Sequence, residues 1–177
     1  MPPPLNDIPI SVRSFTHSDL PACQRLYVEG LLGGKLAEND TGLDIEDIES
    51  AYMKTDGNHL WVAEAPIDSN GPEVVGMIGV QHHEQGVGEI RRLRVRSDMR
   101  RRGIGSKLME TALKYCQDRA YLKITLDTFI EREAAIGLFE KFRFRHSRTR
   151  NVSGKDLMYF YLDLYSQEER PRTHSSQ

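Results

Sequence analysis

Between Glu89 and Cys116 the chain reads EIRRLRVRSDMRRRGIGSKLMETALKYC: seven arginines fall in the twelve residues from Arg91 to Arg102, followed by Gly103 and Gly105. Ile104, Leu108, Met109, Ala112, Leu113 and Cys116 recur at helical spacing, which predicts a helix from about Gly105 to Ala120. A strand that ends in a Gly-rich turn and opens a helix is an anion site, because the first helical N–H groups have no partner and the positive end of the helix dipole faces the turn. Glycines let the backbone approach a ligand that a Cβ would block. A Walker-type loop fails here, since Ser106 separates Gly105 from Lys107. A Rossmann fingerprint fits poorly, because Leu108 holds its third glycine position and the motif follows a fourth strand. What fits is R-x-x-G-x-G, Arg100 to Gly105.

The chain around this stretch is ordinary in composition. With 177 residues it suits one domain with a real core, and a formal charge of -2 argues against a general nucleic-acid or membrane-surface binder. The arginine run is therefore local. Cys23 and Cys116 both fall in predicted helices, so buried thiols are expected, in keeping with a reducing compartment. No apolar run approaches the ~18 residues that span a bilayer, and the start MPPPLNDIPI lacks the regions of a signal peptide. The expected location is the cytoplasm, with no membrane partner.

Residues 1–7 read as a loose leader, 8–165 as a single domain, and 166–177 as a disordered polar tail. IPISVRSFT alternates as a strand. Thr16 or Ser18 can cap a helix carrying Leu20, Cys23, Tyr27, Gly30 and Leu31, and LDIEDIESAYMK reads as a shorter second helix. HLWVAEAP, EVVGMIGVQHHE and VGEIRRLRV follow as three strands, the last two joined by a hairpin at EQGVG. After the helix at the glycines come a buried strand LKITLDTF, a helix REAAIGLFEKF, and two strands, FRHSRTRNV and LMYFYLDL. The order β-α-α-β-β-β-α-β-α-β-β is an α/β domain with a mixed sheet. In the fourth strand Ile90 is out of step with Leu93 and Val95, a slip that predicts a β-bulge.

With the element order and the VRSDMRRRGIGSKLM turn in place, the chain resembles the GNAT superfamily of acyl-CoA-dependent N-acyltransferases from about Ile10 to Leu164. The resemblance implies a mostly antiparallel, mixed central sheet of about seven strands with about four helices and a bulged fourth strand. It implies acetyl-CoA as co-substrate, its pyrophosphate held by backbone amides of Arg101, Arg102, Gly103, Ile104, Gly105 and Ser106, with arginine side chains including Arg100 adding charge. The splayed strand at Leu93, Arg94 and Val95 would bond pantetheine. The implied reaction is acetyl transfer to a primary amine of a small molecule or peptide. Direct attack is expected, because no cysteine lies in the fourth strand to become acylated.

Glu89 lies eleven residues before Arg100, where several members of that superfamily carry a general-base glutamate. Many members also place a tyrosine acid in the fourth helix. Here Phe139 stands in its place, Arg132 replaces the usual Asn, and Arg143 the usual Gly. Phe139 cannot donate a proton, so Tyr159, Tyr161, water or no acid at all must serve the leaving thiolate. Arg132 is assigned to a CoA phosphate. His82 and His83 point to opposite sheet faces and lack metal-site spacing, so no metal is expected. Trp61 belongs to the core. The six acidic residues from Glu38 to Glu49 are either a solvated helix face or an acidic rim for a cationic amine. Dimers of such proteins often form through the last strands, so a homodimer is an available assembly. A non-catalytic acyl-CoA-binding regulatory module is the competing reading of the same fold. Nucleic-acid binding is a third, expected to show steeply salt-dependent affinity.

Overall fold

The computed structural model describes residues 7–165, so most of the expected leader and all of the expected tail lie outside the described residues. The strands are β1 (Ser11–Ser14), β2 (His59–Asp68), β3 (Gly71–Glu84), β4 (Val87–Val95), β5 (Lys123–Phe129), β6 (Arg145–Val152) and β7 (Lys155–Asp163). The helices are α1 (Leu20–Glu29), α2 (Leu43–Glu46), α3 (Ile104–Asp118) and α4 (Glu133–Lys141). One seven-stranded sheet runs in the order β1-β2-β3-β4-β5-β7-β6. Every pairing is antiparallel except β4 with β5.

Two apolar layers pack on opposite faces of this sheet. Ile104, Leu108, Met109, Ala112 and Cys116 of α3 and Phe139 of α4 meet Val75, Ile78, Ile90, Ile124, Leu126 and Phe160 on one face. On the other, Cys23, Leu26 and Tyr27 of α1, with Ile45, Ile48 and Tyr52, cover Leu60, Val62 and Met77 of β2 and β3. This second layer draws no residue from β5, β6 or β7. Half of the sheet therefore shows one face to a helix layer and the other to solvent, and the boundary between the covered and open halves falls at β4.

Local sequence explains the elements near that boundary. Thr16 opens the first helical turn through a capping box with Asp19, whose carboxylate accepts from the Thr16 N–H at 2.8 Å. The expected second helix is instead a single α-turn at Leu43–Glu46 and a π-helical turn at Glu49–Met53, parted at Asp47, which leaves helical conformation at φ -137°. Its apolar side still faces the core through Ile45, Ile48 and Tyr52, so the periodicity was real while the helix was broken.

Candidate active site

β4 and β5 pair over three positions only, Val87 to Glu89 against Lys123 to Thr125. Beyond Glu89 the two strands part. Ile90, Leu93 and Val95 all pack toward the α3 side, so Arg91 and Arg92 must share the opposite face. The extra residue is absorbed at Arg92, whose φ is 57°, and the β3 register slips between Met77 and Gly79. This is the expected bulge, placed at Arg92. A side chain in that left-handed region costs about 1–2 kcal/mol and persists only where its surroundings hold it.

What holds Arg92 is a buried ionic clamp. Its guanidinium donates to Asp40 at 2.6 and 2.8 Å and to Asp44 at 2.9 Å through Nε, and it lies 5.0 Å from the centre of the Tyr27 ring. Tyr27 donates to Asp40 at 3.1 Å and Tyr52 to Asp44 at 2.6 Å. The hydrogen bonds from Arg92 hold the Asp40 carboxyl far below the usual carboxylate range, and they lower that of Asp44 against the opposing effect of its burial. Two acids of the Glu38–Glu49 run are thus spent inside the fold. The sequence reading, which took the run as surface charge, had no signal for this: the partners are 48 and 52 residues apart.

The parting of the strands opens a cleft of about 1330 Å³. At one end lies the glycine turn. Arg101 (φ 61°) and Gly103 (φ 75°) both adopt left-handed conformations, and Gly103 is the N-cap of α3 with no side chain capping the helix. The Ile104, Gly105 and Ser106 amides therefore open α3 without a side-chain acceptor, and all three residues line the cleft with Arg100 and Arg101. If the turn holds the phosphates as the sequence resemblance implies, Gly103→Val should strain it and lower acetyl-CoA affinity by roughly ten-fold or more, measured by titration calorimetry. Unchanged affinity would show that the turn does not hold the phosphates.

Midway along the cleft two guanidiniums converge on the end of α1. Arg132 donates to the Gly30 carbonyl at 2.6 Å, bridging from the start of α4 across the gap. Arg94 packs on Gly30, where any Cβ would collide with its Nε, and it donates through Nη1 to the Leu93 carbonyl at 2.9 Å. Arg94 Nε is buried without a partner. Burial, then the charges of Arg132 and Arg92, lower the Arg94 pKa to about 10. Burial, followed by the charge of Arg100, lowers that of Arg132. Both would gain from an anion in the cleft.

At the other end stand two carboxylates. Glu89 is paired with Thr125, and Asp127 is two residues further along β5, so strand alternation puts both on the open face of the sheet. Burial raises the Glu89 carboxyl pKa, Arg91 lowers it, and the Asp127 charge raises it. Asp127 is likewise raised chiefly by the protein around it, against Arg91 and Arg150, although its side chain is open to solvent, as befits a carboxylate on a cleft wall. The contacts of Glu89 are loose: His83 Nδ1 at 3.5 Å and Arg91 Nε at 3.8 Å. Among the described residues Asp127 makes no hydrogen bond or ion pair.

The family model for the acetyltransferase (GNAT) family matches residues 22–144, a span that holds both the glycine turn and the carboxylates of the strand gap. The chain belongs to that family. The family uses acetyl-CoA as its co-substrate. A relative from Xenopus laevis, named "Probable N-acetyltransferase camello", is 35% identical over 106 residues, covering 59% of this chain and 46% of that protein. The chain thus matches about half the length of that relative. Among solved structures, a GNAT-family acetyltransferase from Staphylococcus aureus superposes with a TM-score of 0.73 at 19% identity, covering 88% of this chain and 99% of that one. The yncA protein of Salmonella typhimurium, solved with acetyl-CoA, gives 0.72 at 18% identity, covering 92% and 96%. At those identities the structures establish the GNAT fold, seven strands and a mostly antiparallel sheet included.

Within this GNAT fold, the residues singled out in the sequence gather along one cleft. Glu89, Leu93, Arg94, Val95, Arg100, Arg101, Gly103, Ile104, Gly105, Ser106 and Arg132 all line it, whereas Arg102 in the same turn does not. Past Glu89, β4 has no partner on its β5 side, although the Leu93 carbonyl is already engaged by Arg94. Asp127 was missed. Its signal was the lone acid in LKITLDTF, a run read only as a buried strand. Phe139 is buried against Phe144 and Phe160, so it serves packing and leaves the tyrosine position without a proton donor. His83, one of the adjacent histidines, reaches Glu89. No three metal-binding side chains cluster among the described residues, and none of their helices is long and apolar enough to cross a membrane.

Proposed function

We propose that the protein transfers the acetyl group of acetyl-CoA to a primary amine of a small molecule or peptide, by direct attack with both substrates bound. The observation that carries this reading is the parting of β4 from β5 immediately after Glu89. It leaves a slot for the pantetheine arm that delivers the thioester beside a carboxylate. The backbone of Leu93, Arg94 and Val95 flanks that arm. The amides from Arg101 to Ser106, with the charge of Arg100, Arg102 and Arg132, hold the phosphates.

The chemistry needs a neutral amine. Glu89 takes a proton from the bound ammonium, directly or through one water, and its raised pKa makes it a better base than an exposed carboxylate. The amine nitrogen then bonds to the thioester carbon, the C–S bond breaks, and the thiolate leaves to be protonated by water. A covalent acetyl-cysteine route has no support. The chain has two cysteines, Cys23 and Cys116; both are buried, with thiols pushed up to about 12 by that burial. Tyr159 sits opposite Asp127 in the β5–β7 register, which makes it the tyrosine to test as an acid. With water in that role, Tyr159→Phe should leave kcat within about two-fold of wild type. A loss of 10²-fold, the scale of a lost general acid, would assign the proton to Tyr159.

The decisive experiment is an amine panel assayed by released CoA thiol. Acetyl-CoA binding with no thiol released by any amine would instead favour a non-catalytic acyl-CoA-binding module, the reading that Phe139 supports. Nucleic-acid binding by the arginine run would have to do without Arg92, buried in its clamp, and Arg94, which lies against Gly30.

A further inference from the structure

The open half of the sheet carries a charge pattern that neither the cofactor site nor the base explains. Residues paired across a sheet share a face, so Glu89, Thr125 and Tyr161 form one row, and Asp127 and Tyr159 begin the next. The register carries that face onto β6: Arg145 pairs with Tyr161, Arg148 with Tyr159 and Arg150 with Leu157. Strict alternation would send Arg145 and Arg148 to opposite faces. A register shift between His146 and Arg148 brings them to the same one, the face that bears Glu89. Arg148 stacks on Tyr159 at 4.2 Å, which fixes its guanidinium over the residue paired with Asp127, and Lys155 lines the cleft beside Leu157.

These cations are not closely paired, although the charge of Arg150 reaches Asp127. Among the described residues none of Arg145, Arg148, Arg150 and Lys155 makes an ion pair within 4 Å, whereas Arg13, Arg92, Arg96 and Arg119 elsewhere all do. Of the acids that might have offered an anionic rim, Asp40 and Asp44 are locked on Arg92. What remains around the open face is a pair of carboxylates, Glu89 and Asp127, next to the strand gap, and a bank of cations two strands further out. Neighbouring strands lie ~4.8 Å apart, so β6 is roughly 10 Å from β5, and an extended arginine spans most of that distance.

On the acetyl-transfer reading, we infer that the acceptor is a primary amine carrying its own carboxylate or other anionic group a few bonds from the nitrogen. Its ammonium docks between Glu89 and Asp127, and its anion is held by Arg148 and Arg150. Asp127 is then a positioning residue, holding the ammonium so that Glu89 can deprotonate it. Arginines on an edge strand can also serve simply to block pairing with another sheet, and the two roles make different predictions.

The test compares propylamine, β-alanine and diaminopropane as acceptors, read as CoA thiol released by the full-length protein. The inference expects kcat/KM for β-alanine to exceed that for either other amine by roughly ten-fold or more, one well-made charged contact being about that factor. It also expects the Arg148→Gln/Arg150→Gln double variant to lose that advantage through KM while propylamine turnover stays unchanged. Asp127→Asn should raise KM for all three amines and leave acetyl-CoA affinity intact. Preference for diaminopropane, or equal losses for β-alanine and propylamine in the double variant, would overturn the inference while leaving acetyl transfer standing. So would a double variant altered only in oligomeric state, which would assign the arginines to guarding the edge. Absence of thiol release with every amine would overturn the acetyl-transfer reading itself.

Discussion

Replacing Glu89 with Gln is expected to lower kcat for amine acetylation by about 10²-fold or more, the scale of a lost general base. The isosteric amide keeps the packing at the head of the gap but cannot accept the ammonium proton. The pH dependence makes the test specific. The wild-type rate should fall as pH drops through the Glu89 pKa, which burial sets above the ordinary glutamate value. In the variant that limb should vanish, the deficit should be largest at low pH, and activity should recover as the amine loses its proton unaided. Acetyl-CoA affinity should not change, because the turn proposed to hold the phosphates lies at the other end of the cleft. Unaltered rate and pH profile would remove Glu89 from the mechanism.

The same substitution should not weaken the fold. A carboxyl whose pKa is raised on folding holds its proton longer in the native state. Its contribution to stability is therefore greatest below the unfolded value and is lost as pH rises through the folded one. At neutral pH Glu89 is a half-buried carboxylate with loose contacts, so Glu89→Gln should melt at the same temperature as wild type or somewhat higher. A stability loss in that variant would indicate that Glu89 is held for structure.

Arg92→Met should have the largest effect on stability. It leaves Asp40 and Asp44 with a buried positive partner removed, a change that typically costs 3–5 kcal/mol. For a domain of this size that corresponds to a fall in melting temperature of about 10 °C. Arg92→Lys should recover only part of it, because an ammonium cannot reproduce the paired contacts of a guanidinium to two carboxylates. The acid limb supplies the sign. Asp40 and Asp44 have lowered pKa values, so their contribution is present above the unfolded value near 4 and is lost as pH falls through the folded ones. Arg92→Met should flatten that loss. Because the clamp also holds the strained bulge, KM for acetyl-CoA should rise together with the stability loss. A variant that melts like wild type would show that the clamp merely decorates the bulge.

Much of the architecture follows from short-range pattern. The apolar runs of β2 and β3, the helical stripe from Ile104 to Cys116, and the Gly103–Gly105 turn are each decided within a few residues, by side-chain pattern and backbone freedom. Even the bulge was legible, since Ile90, Leu93 and Val95 can reach one core only if the strand slips once. The second helix was legible in its apolar face but not in its break at Asp47, where no single residue type forces an end.

The partnership of distant charges could not be read in this way. Asp40 and Asp44 look like surface acids until the loop after α1 folds back on β4. Asp127 looks incidental until β5 is placed across the gap from Glu89, and the arginines of β6 look solvated until the register sets them on the face of the base. The sequence by itself determined the elements, their order and the phosphate turn, because those depend on neighbours in the chain. Only the tertiary structure decided which charges are spent on the fold and which are left for substrate, because that depends on which side chains meet across the sheet.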